Sequence, residues 1–221
     1  MTNQEFSIEF DILYNNLASN TAPPINEYEK SVLLTKAQSD IVIELYSGRN
    51  NLGLSYESSE EVKVYLKAIQ SQSTSVVDIT NDEVNPHENI WLITREEISN
   101  MGRLDSIPVI PVSQDEYSKI RNNPFRRVTN RRALRVNHGT SDRLIYPNII
   151  DTTKPITHRV WGLIKPTPII LEGIDDLTLT IEGFPVDEPK ECILDSSIHR
   201  MILDRAVLYA KQAYIGGQVQ E

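Results

Sequence analysis

At 221 residues and 25.2 kDa the chain can bury a sizeable core, as one large domain or one domain with an inserted module. Its only cysteine, Cys192, rules out an intramolecular disulfide and an all-cysteine metal site, which fits a reducing compartment and leaves a virion or extracellular setting open. A net charge of -9 and a pI near 5.0 argue against a general nucleic-acid binder, and a soluble protein is expected, because no signal peptide and no run of about 18 apolar residues is present.

The first predicted element is a helix with Phe6, Phe10, Leu13, Tyr14 and Leu17 on one face, opened by a Thr2/Glu5 capping box. Thr21-Ala-Pro-Pro24 stops it. A second helix of roughly 20 residues, about 30 Å long, follows. Asn26 and Glu29 cap its start, Leu33, Ala37, Ile41 and Leu45 form an i+4 row, and Gly48 offers a stop. Ser58 with Glu61 opens a third, shorter helix carrying Val62, Tyr65, Leu66 and Ile69.

After Ser71 the pattern changes to short β-branched and aromatic runs between polar turns. Val76–Thr80 and Ile90–Thr94 are predicted strands, and Ser106–Ser113, which alternates proline with aliphatic residues, suits an edge strand, because proline cannot donate to a ladder. Gln114–Arg121 forms one or two helical turns closed by Asn122-Asn123-Pro124, with Phe125 tucked into the core below. Further strands are predicted at Arg131–Asn137, Arg143–Tyr146, Thr157–Ile164, Ile169–Leu171 and Leu177–Ile181. Helical periodicity returns from about Cys192 to Tyr214, with Ile198, Ile202, Ala206, Tyr209, Ala210 and Ala213 on one side and Gly216-Gly217 as the stop. The predicted class is therefore α+β, a helical frame with an inserted antiparallel β module. The frame is two N-terminal helices, a third short helix and one C-terminal helix. It comprises residues 1–73 and 190–215, the β module 74–189, and the tail 216–221.

Charge is segregated along this scheme. Between Lys119 and Arg143 eight basic residues face the single acid Asp142, a net of +7, so the rest of the chain carries -16. Such a run suggests an anionic partner or a charged subunit boundary; the plainer alternative is a solvated, arginine-rich strand pair. On a strand Arg131, Ala133 and Arg135 face one way and Arg132, Leu134 and Val136 the other, which puts Arg131 and Arg135 on the polar face. Guanidinium groups there suit carboxylates of a neighbouring subunit or phosphates of a nucleic acid. With no stacking aromatics nearby, any DNA contact would be to the backbone and independent of sequence.

Motifs for catalysis are missing. Neither a phosphate-binding glycine loop nor a G-x-S-x-G elbow occurs, and His87, His138, His158 and His199 have no partner at metal-ligand spacing, so no cofactor or metal is expected. Cys192 at a predicted helix start could have a lowered pKa, although a small packing residue is the simpler reading. The acid pairs Glu60-Glu61, Glu96-Glu97 and Asp175-Asp176 are adjacent in sequence, so their side chains diverge, and they read as solvated or helix-start charges.

Several stretches together carry a family resemblance. Tyr28-Glu29-Lys30 with Leu33–Gln38, the Asp115–Tyr117 to Asn123–Phe125 turn, Lys165-Pro-Thr-Pro-Ile-Ile-Leu171 and the closing Ile198–Val207 helix resemble virion structural proteins of crAss-like and related short-tailed bacteriophages. The order helix, β insertion, helix is similar to head-to-tail adaptor proteins that ring the underside of a phage portal. The resemblance implies a protein without enzymatic activity that assembles in the bacterial host cytoplasm and resides in the virion. It would form a closed ring with itself, commonly a dodecamer, and join portal to tail beside further ring or tail proteins. Passing double-stranded DNA would be touched without sequence specificity, and no membrane is involved. On this reading Arg121, Arg126, Arg127, Arg131, Arg132 and Arg135 are candidates for a subunit interface or for DNA-backbone contact, and Tyr209 and Tyr214 for contact with the portal or a neighbour. The alternative function is a nucleic-acid-binding module using the Arg126–Arg135 stretch.

Overall fold

Two reciprocal caps set where the first helices begin. Thr2 Oγ1 accepts from the Glu5 amide at 3.2 Å while the Glu5 carboxylate accepts from the Thr2 amide at 2.8 Å. Asn26 and Glu29 repeat the arrangement at 2.8 and 3.2 Å. Each pair satisfies amides that an isolated helix start leaves free, as the sequence predicts. In the computed structural model the elements run α1 (Asn3–Leu17), α2 (Glu27–Ser47), α3 (Glu60–Tyr65), β1 (Gln70–Val76), β2 (Glu83–Val84), β3 (Leu92–Asn100), β4 (Ile107–Val112) and α4 (Gln114–Ile120). They continue with β5 (Ala133–Asn137), β6 (Asp142–Ile145), β7 (Ile156–Leu163), β8 (Thr180–Ile181), β9 (Phe184–Pro185) and α5 (His199–Gln218). The structure describes residues 1–17, 23–49, 53–77, 82–84, 89–100, 106–137, 142–147, 150, 153–176 and 178–218, with the side chains of 16, 17 and 215–218 outside that description. The stop at Thr21-Ala22, the 78–80 part of the first predicted strand, and His87 and His138 lie outside it.

The fold is α+β, and the chain divides into two compact units, residues 1–69 with 165–221 and residues 70–164. The sequence puts the return to the helices near 190; the observed division returns at Lys165.

In the first unit α5 packs on both α1 and α2. Phe6, Phe10 and Tyr14 of α1, Leu34, Ala37, Ile41 and Leu45 of α2, and Ile202, Leu203, Ala206 and Ala210 of α5 are buried. Each large side chain among them contributes about 1.5–3 kcal/mol on leaving water. Leu34, not Leu33, completes the buried row of α2, and Leu33 stays half-buried. Gly48 caps the helix with φ 73°, a left-handed conformation that glycine adopts without cost. The predicted strand at Ile169–Leu171 is an extended segment with one isolated bridge, Ile170 to Lys190. A polar row on α2 substitutes for the rest of a ladder. The Leu171 amide donates to Ser31 Oγ at 3.0 Å, the Ile169 amide to Thr35 Oγ1 at 3.1 Å, and Gln38 Nε2 to the Thr167 carbonyl at 2.8 Å. Ser31, Thr35 and Gln38 are buried because that is where they bond. The remaining predicted strand, Leu177–Ile181, shortens to the β8–β9 hairpin. Helix α3 has only six residues and takes no side-chain cap from Ser59. Helix α5 starts at His199, after a 3₁₀ turn at Ser196–Ile198, and runs through Gly216-Gly217 to Gln218.

The second unit holds a seven-stranded sheet in the order β1-β7-β3-β4-β5-β6-β2. Every pair is antiparallel except β4 and β5, which run parallel and are joined by residues 113–132 with α4. A proline-rich strand therefore sits inside the sheet, contrary to the edge position its sequence predicts. Its pairing explains the tolerance. Among the described residues, 107–108 pair only with β3 and 109–112 only with β5, so Pro108 and Pro111 each have one side without a ladder partner there. At Gly162 an added Cβ would lie 2.4 Å from the Leu92 carbonyl oxygen, beside the register shift between Ile93 and Arg95, so only glycine fits there. Both faces of β5 are covered: Ala133 joins a cluster with Val84, Ile98, Val109 and Leu144, while Leu134 and Val136 pack with Val112 and Ile120 of α4.

Candidate functional site

The predicted arginine run separates into two environments. The first is the turn that follows α4. Ser113 accepts from the Glu116 amide at 3.2 Å and starts the helix. The Asn123 carbonyl then accepts from the Arg126 and Arg127 amides at 3.2 and 2.9 Å, and its side-chain oxygen accepts from the Phe125 amide at 2.9 Å. Arg132 ties the turn from the other side, its Nη2 donating to the carbonyls of Phe125 and Arg127 at 2.9 and 3.0 Å. A bridge between Thr129 and Arg132 closes the base. This bonding holds Phe125 out of the core, with 88% of its surface exposed, so the expectation that it tucks beneath the turn is corrected. Asn123 is used for turn chemistry, and Pro124, which fixes φ, aims the next residue outward. Around the tip Arg121, Arg126, Arg127 and Arg131 are exposed, and none of them forms an ion pair among the described residues.

The second environment surrounds Arg135. The alternation along β5 is as predicted, but the face that carries Arg135 is an inner one. Its Nε and Nη2 donate to the two oxygens of Glu96 at 2.8 Å each, and Nη1 to Asp142 at 2.6 Å. His158 Nε2 lies 3.2 Å from Glu96, and Asn137 Nδ2 donates to the other oxygen of Asp142 at 3.0 Å. Strand pairing positions all five: Glu96 and His158 sit diagonally across β3 and β7, and Asn137 opposite Asp142 across β5 and β6. Burial alone would raise the Glu96 pKa, but hydrogen bonds from His158 and Arg135 outweigh it and hold the carboxyl below its ordinary value. For Arg135 burial would lower the pKa, and the bonds to Glu96 with the charge of Asp142 raise it. With only 13% of its side chain exposed, Arg135 has little to offer a partner.

Glu97 points to the opposite face, where it accepts from Arg95 and Arg159 at 3.0 Å each and from Ser106 Oγ at 2.9 Å. The same two guanidinium groups lie 5.2 and 5.8 Å from the Trp161 ring. Glu96 and Glu97 thus diverge as predicted, yet both are buried and paired where solvation was expected. Cys192 lies before α5, not at its start, and burial pushes its thiol up to about 11, opposite to the lowered value considered from sequence. Among the described residues no group of three His, Cys, Asp or Glu side chains could hold a metal ion.

The two tyrosines of α5 differ. Tyr209 donates to Asp40 at 2.6 Å, and Lys36 Nζ sits 4.7 Å from its ring centre. Beside it Arg205 forks onto Glu44 at 2.7 and 2.9 Å. Tyr214 lines an apolar groove of about 470 Å³ in the helical unit with Tyr14, Ile25, Tyr28, Val32 and Leu33. The sequence reading misses this groove, and it also misses Glu96, Asp142 and His158. The available signal for the groove was Val32, an apolar residue out of phase with the buried row of α2.

The family described as "Phage tail ring protein 3/4" matches residues 1–220. The chain is 34% identical over 225 residues to "Ring protein 3" of Bacteroides phage crAss001, covering 95% of each. It is 33% identical over 230 residues to "Ring protein 4/5" of the same phage, covering 98% of this chain and 94% of the relative.

Proposed function

The chain belongs to the phage tail ring protein 3/4 family, and we propose that it is a structural, non-enzymatic subunit of a virion ring at the head-to-tail connector. Copies close on themselves, commonly as a dodecamer, below the portal, contact further ring or tail proteins, and line the channel through which double-stranded DNA leaves. The observation that carries this reading is a charge division that follows the two units. Residues 1–69 and 165–221 hold 20 acidic and 10 basic residues, a net of -10, while residues 70–164 hold 11 acidic and 12 basic, a net of +1. Among the described residues of the second unit, the basic groups without an ion pair are concentrated at the 121–131 turn. A ring needs two different complementary patches on every copy, and an acidic unit with an arginine-tipped unit supplies them. The acidic remainder also suits a channel wall that repels phosphate and lets DNA move. Light scattering on the purified chain and negative-stain images of it with its portal test the proposal. Closed rings that bind portal support it; a strict monomer that never binds portal overturns it.

A second reading rests on the same four exposed arginines. Arg121, Arg126, Arg127 and Arg131, without Arg135, could grip a DNA backbone, with affinity that falls steeply with salt through counterion release. No binding to duplex DNA at about 50 mM salt would remove it.

A further inference from the structure

We propose that the Phe125 turn of one copy inserts into the apolar groove of the helical unit of a second copy; this rests on the ring reading and specifies its interface. Phe125 is an exposed aromatic on a turn already fixed by Asn123 and Arg132, so it loses little conformational freedom on docking. An anchor of this kind is what dominates a protein interface when a pocket receives it. The groove is such a pocket. Its volume of about 470 Å³ suits one aromatic side chain with its neighbours, and Val32, 40% exposed, sits in its wall. Charge selects the pairing. Arg126 and Arg127 follow Phe125 directly, Glu29 is exposed in the groove wall, and the unit that carries the groove has a net charge of -10.

Topology points to a second copy as the occupant. Tip and groove belong to different units of one chain, so tip-into-groove contact gives every copy two different complementary patches, the requirement for a head-to-tail contact that passes from each copy to the next.

Two single variants, Val32→Cys and Phe125→Cys, are mixed in equal amounts under ring-forming conditions and mildly oxidised. Cys192 stays in place, because its half-buried thiol, bonded to Gln38 at 3.3 Å and with a raised pKa, reacts slowly. The expected product is a disulfide joining one Val32→Cys chain to one Phe125→Cys chain, in excess over either symmetric dimer. In parallel, Phe125→Glu is expected to weaken self-association on the order of tenfold or more while Phe125→Leu largely retains it. Rings that form without the mixed cross-link, or with predominant Phe125-to-Phe125 linkage, overturn the docking and leave the ring reading standing. No self-association at any concentration overturns both.

Discussion

Three positions along the chain take Arg132 to Arg135, and the two sides of that interval live under opposite rules. Up to Arg131 the guanidinium groups project from a turn whose own carbonyls and amides are satisfied by Asn123 and Arg132, and their charge is directed outward. At Arg135 the chain has entered a strand covered on both faces, and the charge is neutralised by Glu96, 39 residues earlier, and Asp142, seven later. The difference shows that a basic run is not one feature. Whether an arginine is available to a partner depends on what neighbouring strands bring to it, and charge counted along the sequence overstates what remains for binding.

Breaking the inner half of this contrast has the largest expected effect. Arg135→Ala takes the guanidinium from buried Glu96, leaving it only the bond to His158, and is expected to destabilise the sheet unit by about 3–5 kcal/mol in denaturant unfolding. Replacing Glu96 and Arg135 together with methionine is expected to cost less than Arg135→Ala, because only Asp142, which keeps its bond from Asn137, then lacks its ion pair. Equal losses for the single and double variants would contradict the network. Acid titration sharpens the same point. Glu96 titrates below its ordinary value, so its contribution is fully present above the unfolded carboxylate pKa of about 4.3 and is lost as pH falls through the folded value. Glu96→Gln should therefore flatten the fall of stability with pH below about 4, besides lowering stability at neutral pH.

Arg132 stands at the border and has an intermediate expectation. Its two bonds to the Phe125 and Arg127 carbonyls are partly solvated, so Arg132→Ala is expected to cost about 1 kcal/mol. The local signature is more informative: amides of Arg126 and Arg127 should exchange faster with solvent while the sheet core stays protected. Uniform loss of protection would mean that the turn is not held as a separate piece.

How much of this was legible from sequence follows from the range of the interactions. The α2 caps at Asn26, Glu29 and Gly48 are local, and so is the row Ala37, Ile41 and Leu45; both could be read directly. The position of β4 could not, because Pro108 and Pro111 exclude a central strand unless pairing switches sides midway, which only the tertiary register reveals. Arg135 failed for the same reason: alternation fixed which residues share its face, but Leu144 and Ile98 on other strands decided that the face is inner. Phe125 erred in the opposite direction. Its hydrophobicity argued for burial, and the hydrogen bonds of Asn123 and Arg132, one of them reaching back seven residues, hold it out.

The smallest change in stability comes from the outer half of the contrast, and it is the change that separates the two functional readings. Arg126→Ala, Arg127→Ala and Arg131→Ala combined should leave the unfolding midpoint almost unmoved, within about 0.5 kcal/mol, because none of the three has an ion-pair partner among the described residues. If the turn meets an acidic neighbouring subunit, the triple variant loses ring formation, and neither it nor the parent binds duplex DNA at about 50 mM salt. If it meets DNA, the triple variant binds all sequences more weakly, and the slope of log affinity against log salt becomes shallower by about one for each phosphate contact removed. Rings that assemble normally in the triple variant would take the arginines out of the interface and leave Phe125 as the turn's remaining anchor.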